Sequence, residues 1–304
     1  MTAVAPAVSR DSRERALLIG AVSVTVCVWA SAFVAIRFAD RELSAGALAL
    51  GRLLVGSAVL GILVLVRRAP LPGRHELPGI VVCGVLWFGL YNVALNGAEQ
   101  RVDAGTAAML VNVGPILIAI LAGLVLHEGF PPRLVAGCLV SFAGAVVIGV
   151  ATSRHGLHDI LGAALCLVAA VGYAGGVVAQ KPVLRHASPL TVTWLACTIG
   201  AVACLPYAGS LVHGIDHAGA STIGWMIYLG LAPTALGFVL WAYALARTTA
   251  GRMGSTTYLV PPLALLFGWA FLAEVPPALV FPGGALCLAG VALARTRGRR
   301  SGVG

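Results

Sequence analysis

The chain has 304 residues, of which 59% are hydrophobic and only 10% are charged, and its net charge is +9. A soluble domain carries about 25% charged residues, so this chain has too little polar surface to face water over most of its area. The composition therefore excludes an ordinary soluble protein and predicts an integral membrane protein whose surroundings are a lipid bilayer.

Ten apolar runs, separated by charges and turn residues, follow one another along the chain. A membrane-spanning helix needs about 20 apolar residues, and each run is close to that length. The predicted spans are residues 16–36, 45–66, 78–98, 104–126, 133–151, 157–179, 190–208, 222–244, 253–273 and 278–294. We therefore predict an all-α integral membrane protein with ten transmembrane helices and no room for a soluble catalytic domain.

The third to fifth predicted helices repeat as the eighth to tenth at a constant offset of 146 residues. The stretches LHEGFPP (Leu126 to Pro132) and LAEVPP (Leu272 to Pro277) each close an apolar run, with glutamate and proline at that offset. Five helices per half is an odd number, which predicts two inverted five-helix repeats, as in secondary transporters that bind substrate between the halves. The predicted segments are a tail 1–15, a first repeat 16–151, a second repeat 152–296 and a basic tail 297–304.

Positive charge is distributed unevenly between the two ends of the predicted helices. If the N-terminus is cytoplasmic, fifteen Lys and Arg residues fall on that side, and only Arg37, Arg41, Arg101 and Arg154 fall on the other. Because Lys and Arg collect on the cytoplasmic side of membrane proteins, we expect both termini there and a multi-pass protein of the cell membrane. The basic excess then indicates orientation, and we expect no nucleic-acid partner.

Glu128 and its repeat partner Glu274 each end the fourth helix of their half. A carboxylate is unfavourable at a helix C-terminus but favourable at an N-terminus. We therefore expect each one to turn to the N-terminus of the following helix, which begins at the prolines, and to form a structural corner. The alternative is a proton-binding carboxylate.

Two predicted helices are interrupted at matching points of the two halves, by Gly114, Pro115, Pro261 and Pro262. Proline has no N–H group and leaves the carbonyl one turn earlier without its usual donor. In a bilayer such a carbonyl either lines a wet cavity or is satisfied by a neighbouring Ser or Thr, and both alternatives stay open. Asn112 and Tyr258 are a repeat pair beside these breaks, so we expect both to approach one central substrate site.

Arg52 is the one strongly charged residue well inside a predicted span. Burying it costs at least about 2.5–3.5 kcal/mol on membrane-insertion scales, so it is a functional candidate by default. If it contacts substrate, its guanidinium group favours a carboxylate. The alternative is a structural role, in which it reaches the interface or pairs with a carbonyl.

Other polar and aromatic residues of the predicted spans are candidates for lining a substrate site. Asn92 and Asn96 are four residues apart on one helix face, which should point inward because an amide in hydrocarbon needs a partner. Bonding between helices explains the two amides equally well. The aromatic candidates, for which interface belts and plain packing are the alternatives, are Trp29, Tyr173, Trp241 and Tyr243.

The sequence shows no pattern typical of a metal or cofactor site. Its seven cysteines lie in apolar runs without a Cys-x-x-Cys pair, and we expect them to be small core residues. Two predicted outer loops hold polar residues without a zinc spacing, which we expect to be solvated: His155, His158, Asp159, His213, Asp216 and His217. We expect no cofactor and, because Lys181 is not in a Walker A sequence, no intrinsic ATPase.

Several motifs follow one another in a characteristic order along the chain. They are WASAF (Trp29 to Phe33), Arg52, the pairs Pro115/Glu128 and Pro261/Glu274, the G-x6-G helices with Gly137/Gly144 and Gly283/Gly290, and WMIYLGLAPTALGFVLWAYAL (Trp225 to Leu245). Together these features resemble the EamA-like branch of the drug/metabolite transporter superfamily. The resemblance covers residues 16–296, and Ala30 stands where the family commonly has glycine. It implies ten helices, both termini inside, and transport of small metabolites, often efflux of amino acids or related compounds.

We therefore expect a secondary transporter that exports small metabolites such as amino acids by alternating access, with the bilayer and a small-molecule substrate as its partners. One alternative is a lipid or lipid-linked-sugar translocase of similar architecture. Another is a membrane-embedded enzyme, which would need His, Asp or Glu clustered at one depth, and the predicted spans hold no such cluster. Substrate identity, coupling ion and oligomeric state stay open.

Overall fold

The computed structural model describes residues 8–102, 107, 110–152, 160–272 and 277–296, which are helical almost throughout and contain no β-strand. Short 3-10 turns, Leu205–Tyr207 and Thr256–Leu259, precede α8 and α11. In chain order the helices are α1 (Val8–Ala39), α2 (Ala45–Val66), α3 (Leu77–Glu99), α4 (Gly114–Val125), α5 (Pro132–Thr152), α6 (Ile160–Val183), α7 (Pro189–Ala203), α8 (Ala208–His217), α9 (Ala220–Arg247), α10 (Ala250–Ser255), α11 (Val260–Leu272) and α12 (Val280–Arg295).

Length and composition make six of the described helices candidates for crossing a bilayer: α1 from Ser12, α2, α3, α5, α6 and α9. Helices α7 and α8, bent by 53° at their break, add a seventh if the pair is one span, while α4 and α12 are apolar but shorter. Large apolar side chains such as Leu65 and Ile160 are exposed on the outside, at 76% and 84%. Such a surface suits lipid, and the chain is a multi-pass membrane protein.

Helices α1 and α9 run antiparallel and define two faces of the molecule. The Trp29 indole N–H donates to the Pro233 carbonyl at 3.1 Å, and the Ser31 and Tyr228 hydroxyls are 2.6 Å apart. The face on which α1 begins and α9 ends is named the proximal face. The face on which α1 ends and α2 begins is named the distal face.

Helices α3 and α9 each contain a π-helical stretch, Gly84–Leu90 and Gly230–Leu236. The two stretches are separated by the offset of 146 residues that the sequence repeat shows. A glycine begins each one and allows another helix to cross closely. A β-carbon at Gly84 would lie 2.7 Å from the Ala196 carbonyl oxygen of α7, and one at Gly230 would lie 2.9 Å from the Arg52 carbonyl oxygen of α2. The two halves therefore share a π-helical stretch, which is an uncommon backbone geometry, at equivalent positions.

Helices α5 and α12, which occupy the same place in the two halves, pack backbone to backbone. A β-carbon at Gly137 would lie 2.5 Å from the Gly290 carbonyl oxygen, and one at Gly144 would lie 2.5 Å from the Gly283 carbonyl oxygen. Because the residue number rises along α5 as it falls along α12, the two helices are antiparallel. The spacing of seven residues thus places a glycine of each helix at both close approaches of the two backbones.

Ser141 and Cys287 lie at the centre of this contact. The Ser141 hydroxyl donates to the Cys287 carbonyl at 3.1 Å, and the Cys287 thiol donates to the Ser141 carbonyl at 3.4 Å. The two residues are themselves 146 apart. Each member of a repeat pair thus makes the same bond to the other, which is the pattern of a local two-fold axis.

Residues 208–217 correct one expectation, because they form α8 and not a solvated loop. Leu211 of α8 is buried against α2, where a β-carbon at Gly51 would lie 3.2 Å from it, and this apolar contact holds the helix. His213 and His217 are exposed with their rings 4.4 Å apart. No group of three potential metal ligands occurs in the described part of the chain. The other predicted loop, with His155, His158 and Asp159, lies outside the described residues.

Candidate functional site

Aromatic side chains from four helices meet in the interior of the molecule. The ring centroids of Trp29 and Trp241 are 5.0 Å apart, and those of Trp87 and Tyr173 are 5.2 Å apart. Both halves contribute, since α1 and α3 belong to the first and α6 and α9 to the second. The group named here the aromatic cluster consists of Trp29, Trp87, Phe88, Tyr173, Phe238 and Trp241.

The π-helical stretch of α9 holds one side of this cluster in place. Pro233 has no N–H group, so the Leu229 carbonyl loses its usual donor, and the Thr234 hydroxyl donates to it at 2.8 Å. The Pro233 carbonyl in turn accepts the Trp29 indole N–H at 3.1 Å. A proline-distorted helix therefore orients an aromatic side chain from the other half.

Arg52 reaches the same stretch from α2. Its side chain is only 6% exposed, and its Nε donates to the Thr234 hydroxyl at 3.0 Å. Glu99 and Tyr91 are among the groups that interact electrostatically with its guanidinium. The Tyr91 ring lies 6.0 Å from that of Tyr173, so Tyr91 connects Arg52 with the aromatic cluster.

The two amides of α3 differ in their surroundings. The Asn92 amide donates at 2.8 Å to the Phe88 carbonyl of its own helix, inside the π-helical stretch. The Asn96 amide donates at 3.1 Å to the Ala45 carbonyl, at the beginning of α2, and its oxygen has no partner in the described structure. The Asn92 amide group is thus hydrogen-bonded within its own helix. The Asn96 amide group joins α3 to α2, and its side-chain oxygen can still accept a hydrogen bond.

Two carboxyl groups that the sequence did not single out lie at the distal end of α1 and α3. Asp40 directly follows α1, and Glu99 is the last residue of α3. The two interact electrostatically with one another and with Arg37. Burial raises the pKa of Asp40 to about 6, against the opposite influence of Arg37.

The structure interrupts both helices at the predicted breaks. Helix α4 begins at Gly114 and Pro115 after a turn at Asn112 and Val113, and α11 begins just before Pro261 and Pro262 after the 3-10 turn. The Tyr173 hydroxyl donates to the Thr257 hydroxyl of this turn at 3.4 Å. The second break therefore lies against the aromatic cluster.

Tyr258 and Asn112 are both buried beside these breaks. Tyr258, however, packs with Ala119, Cys138 and Cys287 in a second apolar cluster between α4, α5 and α12. Its hydroxyl has no partner among the described residues. Tyr258 therefore faces the contact of the two repeats and not the aromatic cluster.

Tyr243 lies away from the aromatic cluster, near the proximal end of α9. The Arg247 guanidinium carbon is 3.7 Å from the centroid of its ring, and Arg247 also donates to the Tyr243 carbonyl at 3.0 Å. Of the four aromatic candidates, the structure brings together Trp29, Tyr173 and Trp241 and leaves out Tyr243.

The turn between α9 and α10 is held from two sides at the proximal face. The Lys181 ammonium group of α6 donates to the Leu245 carbonyl at 2.7 Å and to the Thr248 carbonyl. The Glu128 carboxylate accepts from the backbone N–H groups of Ala250 at 2.8 Å and Gly251 at 3.2 Å. These contacts join α6 and the segment after α4 to the turn between α9 and α10.

The position of Glu128 corrects the predicted corner. Glu128 does stabilise a helix N-terminus, but that helix is α10 of the other half and not the following helix α5. His127 and Gly129 adopt left-handed backbone conformations, with φ of 55° and 70°. The chain therefore turns sharply on both sides of Glu128 and directs its side chain across the proximal face. Its repeat partner Glu274 lies outside the described residues.

The sequence offered only partial evidence for several residues of this site. The proline of LAPTALGF, Pro233, lies inside a predicted span and was the available indication of a distorted helix. Trp87 and Phe238 are ordinary apolar residues of their spans. Asp40 and Glu99 lie at helix ends, where charges are common, and only the fold brings them together.

Two consecutive segments of the sequence match one protein family. The sequence profile of the EamA-like transporter family matches residues 16–150 and 160–296. A probable terminal-alkyne amino-acid exporter of Streptantibioticus cattleyicolor is 39% identical over 284 residues, covering 92% of this chain and 94% of its own. A probable amino-acid metabolite efflux pump of Salmonella typhimurium is 25% identical over 231 residues, covering 72% and 77%.

The fold has a counterpart among solved structures as well. One crystal structure matches with a TM-score of 0.73 at 20% sequence identity, covering 90% of this chain and 95% of that one. The similar proteins named above are transporters and not enzymes. With nearly the whole chain matched in two consecutive segments, the protein belongs to the EamA-like transporter family and is a small-molecule transporter of the membrane.

Proposed function

We propose that the protein is a secondary transporter that exports amino acids across the cell membrane by alternating access. The observation that carries this proposal is the aromatic cluster, which both halves build, with the buried Arg52 beside it. The apolar rings suit an uncharged side chain, and a guanidinium group suits a carboxylate. The relative that is named a terminal-alkyne amino-acid exporter supports small apolar amino acids as the substrate class.

The proposed architecture is ten membrane helices in two inverted five-helix repeats. The matching π-helical stretches and the antiparallel contact of α5 with α12 support the inversion. In the proposed orientation the proximal face and both termini are cytoplasmic, because most of the Lys and Arg residues lie on that side. The halves would then move about the α5–α12 contact and expose the aromatic cluster to each side in turn.

Exchange transport by the purified protein in liposomes tests this function. Vesicles loaded with unlabelled L-propargylglycine, a terminal-alkyne amino acid, should accumulate isotopically labelled L-propargylglycine from outside. The Arg52→Gln variant should lower the rate at limiting substrate about tenfold or more, since it removes a charge-assisted bond to the carboxylate.

The matched control is Arg41→Gln, which removes an exposed distal arginine that lies over the Phe38 ring. This variant should transport like the wild type. Absence of exchange for L-propargylglycine and for a panel of apolar amino acids, with folded protein in the vesicles, would contradict the proposal. Movement of labelled lipid without amino-acid exchange would favour the translocase instead.

A further inference from the structure

Three side chains with buried oxygen atoms lie at the distal ends of α1 and α3. Asp40 follows α1, while Asn96 and Glu99 lie one helical turn apart on one face of α3. The Asn96 amide is anchored to the Ala45 carbonyl at the beginning of α2. Asp40 and Glu99 interact electrostatically across the gap between α1 and α3. These three residues are named the acceptor triad.

Each member of the acceptor triad has one buried oxygen without a hydrogen-bond donor among the described residues. These atoms are Asp40 Oδ1, Asn96 Oδ1 and Glu99 Oε1. The Asn96 side chain is only 3% exposed, so water does not readily reach it. Buried polar atoms are nearly always paired in folded proteins, so three unpaired acceptors in one place indicate a ligand that carries donors.

No positively charged side chain of the described residues donates a hydrogen bond to these three oxygens. Arg37 and Arg52 both interact electrostatically with Glu99, yet none of the three oxygens accepts a hydrogen bond from either of them. The Arg52 Nε is committed to the Thr234 hydroxyl. One oxygen of each member of the triad therefore lacks a donor in the part of the chain that the structure describes, although two arginines interact electrostatically with Glu99.

We propose that the acceptor triad binds the ammonium group of the transported amino acid. A primary ammonium ion has three N–H donors and no acceptor, which matches three oxygens that need donors. Arg52 would bind the carboxylate of the same molecule, and the substrate side chain would point past Tyr91 toward Tyr173 of the aromatic cluster. This proposal rests on amino-acid transport and names the groups that recognise the two charged ends of the substrate.

Three related ligands with a terminal alkyne test the assignment. L-Propargylglycine has both charged groups, pent-4-ynoic acid lacks the amino group, and but-3-yn-1-amine lacks the carboxylate. Their dissociation constants are measured by tryptophan fluorescence of the purified protein at pH 8, where Asp40, with a pKa of about 6, is ionised. The wild type should bind L-propargylglycine about tenfold or more tightly than pent-4-ynoic acid, because the ammonium group adds charge-assisted bonds.

The variants Glu99→Gln and Asn96→Leu should bring this ratio close to one by weakening only the ligands that carry an amino group. The matched control is Glu42→Gln, another distal carboxylate, whose Oε2 already accepts from the Gly219 N–H at 2.8 Å. It should keep the wild-type ratio. Isotopically labelled L-propargylglycine in liposomes reports in parallel whether the variants still transport.

The outcomes separate this proposal from the transport function. An unchanged ratio in Glu99→Gln and Asn96→Leu overturns the ammonium site even if L-propargylglycine is transported. Equal weakening of L-propargylglycine and pent-4-ynoic acid assigns the triad a structural role and also overturns it. Binding of but-3-yn-1-amine that depends on Glu99, without transport of any amino acid, supports the ammonium site while contradicting the proposed function.

Discussion

Asp40 shows how the fold alters the chemistry of a single side chain. It lies just beyond the last turn of α1, where burial raises the pKa of its carboxyl from 3.8 to about 6 and Arg37 only partly opposes the change. The folded protein therefore holds the Asp40 proton more tightly than the unfolded chain does. In the pH range between the unfolded and folded pKa values, protonation of Asp40 therefore changes the stability of the folded protein.

The first prediction follows from the sign of this shift. Because the folded pKa is the higher one, Asp40 contributes stability that is fully present below about pH 4 and is lost as the pH rises through about 6. The variant Asp40→Asn cannot titrate there. We therefore expect the melting temperature of the detergent-purified wild type to fall relative to that of Asp40→Asn between pH 4 and 7. Parallel melting curves across this range would contradict the shifted pKa, since Arg37 and Glu99 are present in both proteins.

At the scale of the helix, the two π-helical stretches reach one shape with different residues. Trp87 and Phe88 of α3 stand where α9 has Pro233 and Thr234. In α9 the Thr234 hydroxyl donates to the Leu229 carbonyl, which the proline leaves without its usual donor. In α3 the Asn92 amide donates to the Phe88 carbonyl. Since α7 and α2 cross at these points, the widened backbone is required by packing and not by proline alone.

The contact between α5 and α12 gives a prediction about close packing. In Gly144→Ala the new methyl group would meet the backbone of α12, 2.5 Å from the Gly283 oxygen and 2.7 Å from the Cys287 nitrogen. Backbone cannot move aside as a side chain can, so we expect a loss of about 1–3 kcal/mol of stability. Thermal unfolding in detergent measures the effect.

The control for this substitution is Gly224→Ala in α9, where nothing lies within 4 Å of the new methyl group. This change should be neutral or slightly stabilising, because alanine is the better helix former. Equal melting temperatures of the two variants would show that the α5–α12 helices can separate without cost.

At the scale of the whole molecule, Lys181 and Glu128 connect distant parts of the chain at the proximal face. Both hold the turn between α9 and α10, one through carbonyl groups and the other through N–H groups. The variant Lys181→Met removes the bonds from α6 and leaves those from Glu128. We expect the amide hydrogens of residues 245–251 to exchange faster in this variant, because local opening needs fewer broken bonds.

Hydrogen exchange followed by mass spectrometry checks this expectation in the purified protein. The control is Arg185→Met, which changes an exposed basic residue one turn further along the proximal face. Exchange in residues 245–251 that is equally slow in Lys181→Met and Arg185→Met would show that Lys181 does not hold the turn.

The class of all-helical membrane protein could be predicted from the sequence, because a bilayer requires long apolar helices. Which distant helix a side chain contacts could not be predicted in the same way. Glu128 was expected at the following helix because local spacing reveals neighbours only, and its turn toward α10 depends on the left-handed backbone at His127 and Gly129.

The candidate site was predictable in part for a similar reason. Arg52 was a candidate because a charge inside a span needs a partner wherever it lies, whereas Trp29 was one of four aromatic candidates, of which Tyr243 lies away from the aromatic cluster. Asp40 and Glu99 were not recognised, because each one is ordinary at a helix end and becomes unusual only when α1 and α3 bring them together. The neighbours of Tyr258 could not be predicted either, because its pairing with Asn112 in the repeat does not tell which helices its ring contacts.

The reciprocal bonds of Ser141 and Cys287 have a consequence for the origin of the molecule. A contact in which each partner makes the same bond to the other is the kind that joins two identical subunits. A chain of half this length, inserted into the membrane in both orientations, could form the same contact as a homodimer. Duplication and fusion of such a gene would yield one polypeptide whose two halves are then free to diverge, as Trp87 and Phe88 differ from Pro233 and Thr234 at the matching positions.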